Sequence, residues 1–465
     1  MNRRRLTLIV LASVSGLVFQ LGVIAALSAD QGKQYPAEWD PRVADLVTFV
    51  EDHRGHDFRH PVPVQFLTEE EYGARTRTDS STLTEEDRAS LEQDEASYRA
   101  LGLIGADVDL FEAQNDLTDS GTLAFYDPEQ EEIVVRGSEL TPDLRVTLVH
   151  ELTHTLQDQT FPIQEARAHE VTSGQSFAHT ALLEGDALRI EHQYYDQLPA
   201  EEQQAADAAN QSGLDDLEAE QIPGPLQALF GSLYAFGDGL LQVLDAQGGD
   251  AVDDAFRDLP ATEEAVLDPF SYLDRQEVVE VKPPTLEEGD DQFDGGDFGA
   301  ASLYVVLSER IDDRLALAAA IGWGGDAYAT FDRDGRVCVR IHVTGDTPAD
   351  TDELQTAITT WVGVQPPGAA TVSRVDDLVE LETCDPGDAA IPTTGASLDA
   401  LAIPDIRSQL AASTLQFGGT VEQAKCFADG ILAVFTDDEL QATELTEEQN
   451  TRIGEVTNAC GGQGG

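Results

Sequence analysis

Leucines at 144, 148, 152 and 156 recur every four residues, and Thr141-Pro142-Asp143 stands before them as a capping residue, a first-turn proline and an acid suited to a helix dipole. That spacing predicts an amphipathic helix with one apolar stripe and one polar face. Upstream, Asp40-Pro41 opens a second helical pattern through Val43, Leu46, Val47 and Val50 that ends near Arg54-Gly55. The β-branched alternation from Val62 to Leu67, with Pro63 inside it, predicts a strand near an edge or a strand start. The acidic stretch 76–100 reads as helical. Ala124-Phe125-Tyr126 and Ile133-Val134-Val135 flank Asp127-Pro128-Glu129-Gln130 as a hairpin.

A further helix is expected from Ser176 to Gln197, and the polar run Gln203 to Glu220 as a solvated helix or insertion. Beyond Pro283-Pro284, the acidic, glycine-containing run Glu287 to Gly299 reads as a linker or boundary. An apolar helix from Ala300 to about Arg314, a bend at Trp323-Gly324-Gly325-Asp326, strands at Ala327–Phe331 and Arg336–Val343, a helix at Ala349–Trp361 and a strand at Leu378–Leu381 would make a second α+β unit. From about Ser397 two helical patterns carry Cys426 and Cys460. The expected class is therefore α+β, divided into 1–30, 31–285, 286–392 and a helical module 393–465. There is no internal repeat and no glycine-rich phosphate loop.

Composition narrows the environment. With 465 residues and 41% apolar residues the chain can bury a sizeable core. Against 27 basic residues, only three of them lysines (Lys33, Lys282, Lys425), stand 88 acidic ones, for a formal charge of −61. Such a field repels phosphate backbones and anionic lipid surfaces, so no nucleic acid is expected as a partner; it suits a surface kept hydrated in high salt. Arg3-Arg4-Arg5 followed by the uncharged, mostly apolar run Leu6 to Ala29 predicts export, as a membrane anchor or, with Ala26-Leu27-Ser28 as cleavage site, as a removable signal. An extracytoplasmic body with four cysteines, Cys338, Cys384, Cys426 and Cys460, implies two disulfides. Three connectivities are open, and pairing neighbours keeps each bridge within one unit.

The polar face of the 141–158 helix carries His150-Glu151-Leu152-Thr153-His154. Two histidines four apart project from one helix face to a single ion, and Glu151 beside them can take a proton from a water that the ion activates. A hydrolytic zinc wants three protein ligands and one open position. Glu184, in Ala181-Leu182-Leu183-Glu184-Gly185-Asp186-Ala187, is the candidate third donor, because an apolar setting suits a carboxylate that has a cation to bind. His179 and His192 are rival donors. His53, His56 and His60 are spaced unevenly and read as a surface cluster.

His150-Glu151-x-x-His154 followed by Glu184-Gly185-x-Ala187 resembles the gluzincin branch of the zincins, the thermolysin-like metallopeptidases, over residues 120–190. The resemblance implies a zincin-like core of a small sheet with an edge hairpin and active-site helices. It also implies Zn2+ held by His150, His154 and Glu184, Glu151 as general base, and a peptide or protein substrate paired along Ala124–Tyr126. Two positions depart from that family. Leu188 stands where the family has an acid that orients a histidine, with Asp158 or Asp186 as substitutes, and no residue matches its oxyanion-steadying histidine, for which His192, Tyr194, Tyr195 and His342 are candidates. The expected function is an extracytoplasmic zinc metallopeptidase, an endopeptidase. The alternative is an inactive peptidase-like binding or cell-envelope structural protein.

Overall fold

The computed structural model describes residues 35–461 apart from 121, 171, 220–221, 441 and 443–444, so the expected export segment at 1–30 lies outside the described residues. Helix α1 (Ala44–Arg54) stops at Gly55, whose φ of 81° is a left-handed conformation that suits glycine. Strand β1 (Val64–Leu67), α2 (Glu69–Thr76), α3 (Glu85–Ala100), α4 (Leu110–Ser120), β2 (Ala124–Asp127) and β3 (Glu132–Arg136) follow. The expected hairpin pairs β2 with β3, β1 lies parallel to β3, and the order β1-β3-β2 leaves β2 at an edge.

Helix α5 (Pro142–Thr160) comes next, then α6 (Ile163–Arg167), α7 (Ser173–Gln197) and α8 (Ala200–Ala219). Thr141 precedes α5 as expected, but its hydroxyl makes no capping hydrogen bond; the proline at the first turn, with its preset φ, opens the helix. Leu144, Leu148, Leu152 and Leu156 are all buried in one cluster with Val43, with Leu46, Val47 and Val50 of α1, and with Ile133 and Val135 of the sheet. At about 1.5–3 kcal/mol for each buried leucine, this stripe fixes which face of α5 is left for chemistry.

The rest of the chain adds α9 (Gly224–Gln247), α10 (Ala251–Arg257), α11 (Glu264–Leu267), α12 (Pro269–Asp274), β4 (Asp291–Gly296), α13 (Ala300–Ser308), α14 (Asp313–Ile321), β5 (Trp323–Arg333), β6 (Arg336–Gly345), α15 (Pro348–Gly363), β7 (Ala370–Val375), β8 (Leu378–Cys384), α16 (Ala396–Ala400), α17 (Ala402–Gln416), α18 (Val421–Val434), α19 (Asp437–Leu440) and α20 (Glu447–Ala459). Strands β4-β5-β6-β8-β7 form an antiparallel sheet in that order.

Three expectations are corrected here. The presumed linker contains the exposed edge strand β4, whose Gly295 lets the backbone of β5 approach so closely that a Cβ there would stand 2.9 Å from Tyr328 O. The presumed bend at Trp323-Gly324-Gly325-Asp326 is the start of β5, where the irregularity is a register shift between Trp323 and Gly325. The single helix expected over 300–314 is two, because the Asp312 carboxylate accepts from the amides of Arg314 and Leu315 and starts α14 afresh. Helix α9 has no counterpart among the elements predicted.

The architecture is α+β with two small sheets. One apolar cluster includes Ala181 and Leu240, Leu303 and Val343, and Ile403 and Leu432, so the core runs across the boundaries expected at 285 and 392. Both neighbouring cysteine pairs are joined: Cys338–Cys384 ties the adjacent strands β6 and β8, and Cys426–Cys460 ties α18 to the end of α20. Among the described residues no helix is long and apolar enough to cross a membrane.

Candidate metal centre

Helices α5 and α7 meet at the site. His150 and His154 are one turn apart on α5, with ring centroids 4.6 Å apart, and Glu184 reaches them from α7. Glu184 Oε2 lies 3.1 Å from His150 Nε2 and 3.3 Å from His154 Nε2. One donor atom from each of the three falls within 4.8 Å of the others, the sole such cluster of three or more His, Cys, Asp or Glu among the described residues. His150 and Glu151 are fully buried, and Glu184 is 3% exposed; His154 is half-buried and opens the cluster toward a cleft.

Glu184 can stand in this interior because the next residue is glycine. A Cβ on Gly185 would lie 2.2 Å from the carbonyl carbon of Gly237, and one on Gly237 would lie 1.9 Å from Ala181 O. The backbones of α7 and α9 therefore touch at this crossing, and α9 closes the site from behind, with the Tyr234 ring 6.3 Å from that of His150.

The other nitrogen of each histidine is held by an acceptor. His150 Nδ1 is 2.9 Å from Glu191 Oε2, and His154 Nδ1 is 3.0 Å from Gln157 Oε1. The Gln157 amide has one admissible orientation, because its Nε2 donates to Leu183 O and to Asp186 Oδ2, both at 3.0 Å. Both Nδ1 atoms thus have an acceptor to hold them, and both Nε2 atoms face Glu184 Oε2, His150 Nε2 within hydrogen-bond distance of it. His154 Nε2, at 3.3 Å from that oxygen, is buried and makes no hydrogen bond. Two imidazole nitrogens and a carboxylate oxygen brought together in a buried site are a donor set suited to zinc. The residues present therefore fit the metal.

The charges respond to the same crowding. Burial works against a protonated His150, but its hydrogen bonds to Glu184 and Glu191 outweigh this and raise its pKa to about 10. Burial likewise works against the Glu184 carboxylate, yet the charge of His154 and the hydrogen bond and charge of His150 lower it to about 2.

Behind Gln157 lies an ionic chain. Asp186, wholly buried, accepts from Arg54 Nε at 2.7 Å and Arg189 Nη2 at 2.8 Å, and Arg54 passes on to Asp253 at 2.6 Å. Asp186 so acts on His154 only through Gln157. Asp158, the other expected substitute for the missing acid at Leu188, instead accepts from Tyr126 Oη at 2.8 Å and from Gln164 at 3.2 Å. Glu191 is the orienting acid that sequence reasoning missed. Its signal was the seven-residue interval from Glu184, which puts both carboxylates on one face of α7.

Glu151 sits beside this cluster with Oε2 accepting from the Tyr126 backbone amide of β2 at 2.7 Å, and its Oε1 is buried without a hydrogen bond. Burial, opposed by His150 and His154, lifts its pKa to about 7. The edge-strand amide of Tyr126 is thereby engaged by Glu151. The remaining candidates go elsewhere. His179 bonds Glu170 at 2.7 Å, Tyr194 accepts from Arg145 at 2.9 Å, Tyr195 donates to Asp207 at 2.6 Å, and His342 lies 2.8 Å from Glu380 on the larger sheet. His192 Nε2 is buried without a hydrogen bond, outside the three-donor cluster. His53, His56 and His60 face Phe49 O, Asp253 and Glu131 respectively, three separate environments.

The cleft beside the cluster has a volume of about 60 Å³, is open to solvent, and is lined by Tyr126, His154, Asp158, Arg167, Thr180 and Glu184 among others. Compared with protein-family models, with curated proteins and with solved structures, the chain finds no match.

Proposed function

We propose that this chain is an extracytoplasmic zinc metallopeptidase of the zincin type, resembling the gluzincins, with His150, His154 and Glu184 holding the ion and Glu151 as general base. The observation that carries this is the convergence of three ligand atoms, His150 Nε2, His154 Nε2 and Glu184 Oε2, with both imidazole Nδ1 atoms engaged by Glu191 and Gln157. The two disulfides support a body outside the cytoplasm.

Zinc, when bound, supplies a Lewis acid that polarises a carbonyl and brings the pKa of water down to the neutral range. The chain supplies the proton traffic and the orientation. The Tyr126 amide holds Glu151 Oε2, leaving Oε1 to accept a proton from the water that attacks the peptide carbonyl. As the C–N bond breaks, Glu151 returns that proton to the leaving amine. Glu191 and Gln157 keep the imidazoles turned inward throughout, and the cleft holds the peptide.

A second reading, a protein that binds zinc and peptide without turnover, is favoured by one observation: none of His192, Tyr194, Tyr195 and His342 lines the cleft. One experiment separates the two. Metal content of the exported body is measured by inductively coupled plasma mass spectrometry for wild type and Glu184→Ala, with turnover of casein peptides followed at low and high salt. About one zinc per chain, lost in the variant and accompanied by chelator-sensitive cleavage, supports the peptidase. Zinc without turnover supports the binding protein, and a folded protein without zinc sinks both.

A further inference from the structure

Against 88 acidic residues the chain has 27 basic ones, and one of them, Arg167, lines the cleft beside the metal cluster. It is the last residue of α6, half-buried, and its Nη2 lies 3.2 Å from Thr180 Oγ1. Thr180 is four residues, about one helical turn, before Glu184 on α7, and the charges of Glu170, Glu184 and Asp158 all act on the guanidinium. The rest of the lining is neutral (Tyr126, Pro128, Gln157, Ile163, Gln164, Thr180, Leu183) or acidic (Asp158), apart from the ligands His154 and Glu184 themselves.

We propose that Arg167 is the specificity-determining residue of this cleft and reads a carboxylate on the residue next to the scissile bond. The proposal rests on the peptidase reading. An extended peptide advances about 3.3 Å per residue, so the turn of α7 between Thr180, which Arg167 touches, and Glu184, roughly 6 Å of helix, matches one or two residues of substrate. A planar guanidinium is the side chain that best recognises a carboxylate, through two parallel hydrogen bonds. The carboxylate comes from one of two sources with the same chemistry: a free C-terminus, which makes the enzyme release terminal residues, or an Asp or Glu side chain within a longer peptide. The acidic body of the protein repels such a substrate at long range. High salt shortens that repulsion to about 3 Å at 1 M while leaving the contact inside the cleft, so salt sharpens the role of Arg167.

The test uses the zinc-loaded exported body in 1 M salt and four peptides of one length: free C-terminus, its amide, an internal Glu, and the matching Gln. The expected result in wild type is a kcat/KM at least tenfold higher for one carboxylate peptide than for its neutral twin. Loss on amidation assigns the terminal carboxylate, and loss on Glu-to-Gln exchange in the peptide assigns the side chain. In Arg167→Gln the ratio falls to about one; Arg167→Lys, which keeps charge without the fork, gives an intermediate ratio and serves if the first variant does not fold. Cleavage of all four peptides at equal kcat/KM in wild type overturns the proposal and leaves the peptidase standing. Absence of cleavage overturns the peptidase, and the same four peptides are then compared for binding by fluorescence anisotropy. Equal affinity of the carboxylate and neutral peptides in that assay overturns the role of Arg167 as well.

Discussion

His154 presents its Nδ1 to Gln157 Oε1 at 3.0 Å, three residues further along the same helix, and it is Asp186 on α7 that keeps the Gln157 amide turned that way. A residue with no formal charge thus stands where a histidine-orienting carboxylate is the usual device, and the carboxylate acts from behind it. Replacing Gln157 by Leu leaves the His154 ring free to rotate and to change tautomer. The expected effect is a zinc affinity lower by about 10–100-fold, with the same for Glu191→Leu at His150. Competition with a chelator of known affinity measures it; unchanged affinity in folded variants would mean that ring orientation is set by packing alone.

Glu151 holds no position at the meeting point of the three donors, so its replacement separates chemistry from metal binding. Glu151→Gln keeps the size and the acceptor for the Tyr126 amide but cannot take a proton. Zinc content is expected to stay at the wild-type level while kcat/KM falls by at least about 100-fold. Equal loss of zinc and of turnover would place Glu151 among the structural supports of the site instead.

The crossing of α7 and α9 makes a prediction about stability. At Gly237 an added methyl group meets Ala181 O at 1.9 Å, backbone against backbone, so the helices must part. Gly237→Ala is expected to cost about 1–3 kcal/mol or more and to disturb Glu184, which follows Ala181 within one turn of α7. Gly73, inside α2 with nothing within 4 Å of an added Cβ, is the control: Gly73→Ala should stabilise by about 0.5–1 kcal/mol. Denaturant unfolding of both variants at one salt concentration decides it, and equal stability of the two would remove the close crossing from the account.

Much of the site was legible because its signals are local. The leucine interval of α5, the two histidines one turn apart, the hairpin turn and the apolar setting of Glu184 each lie within a few residues, where periodicity and propensity operate. Helix α9 was not, since it packs against both α7 and α17 and is apolar on most of its circumference, as Leu226, Phe230, Tyr234, Phe236, Leu240, Leu241 and Leu244 are all buried. The orienting roles of Glu191 and Gln157 depend on which helix lies opposite, and the strand at Trp323–Arg333 overrides its glycines through pairing with β6. These are tertiary facts that no short window contains.

Near the start of α7 a buried carboxylate cluster predicts how stability varies with pH. Asp297 accepts from the Gly174 amide at 2.9 Å in the first turn of α7, Asp326 accepts from the amides of Phe298 and Gly299, and Glu263 accepts from the Ser302 amide at 2.9 Å. Glycine is required at 299, where φ is +88° and a Cβ would stand 2.2 Å from the Glu263 carboxyl. Burial, against the pull of the Ser302 amide and with Asp326 and Asp297 adding to it, raises Glu263 from 4.5 to about 8. Between those values the folded protein holds a proton that the unfolded chain has released, so stability falls as pH rises through this window and levels off above it. The expected loss from this group is of order a few kcal/mol. Glu263→Gln, neutral at every pH, should be flatter than wild type between about pH 5 and 8.5, with both measured in high salt so that the repulsion of the whole acidic surface is screened equally. Parallel curves for the two proteins would show that Glu263 is ionised in the folded state and that the cluster holds α7 by hydrogen bonds to carboxylates alone.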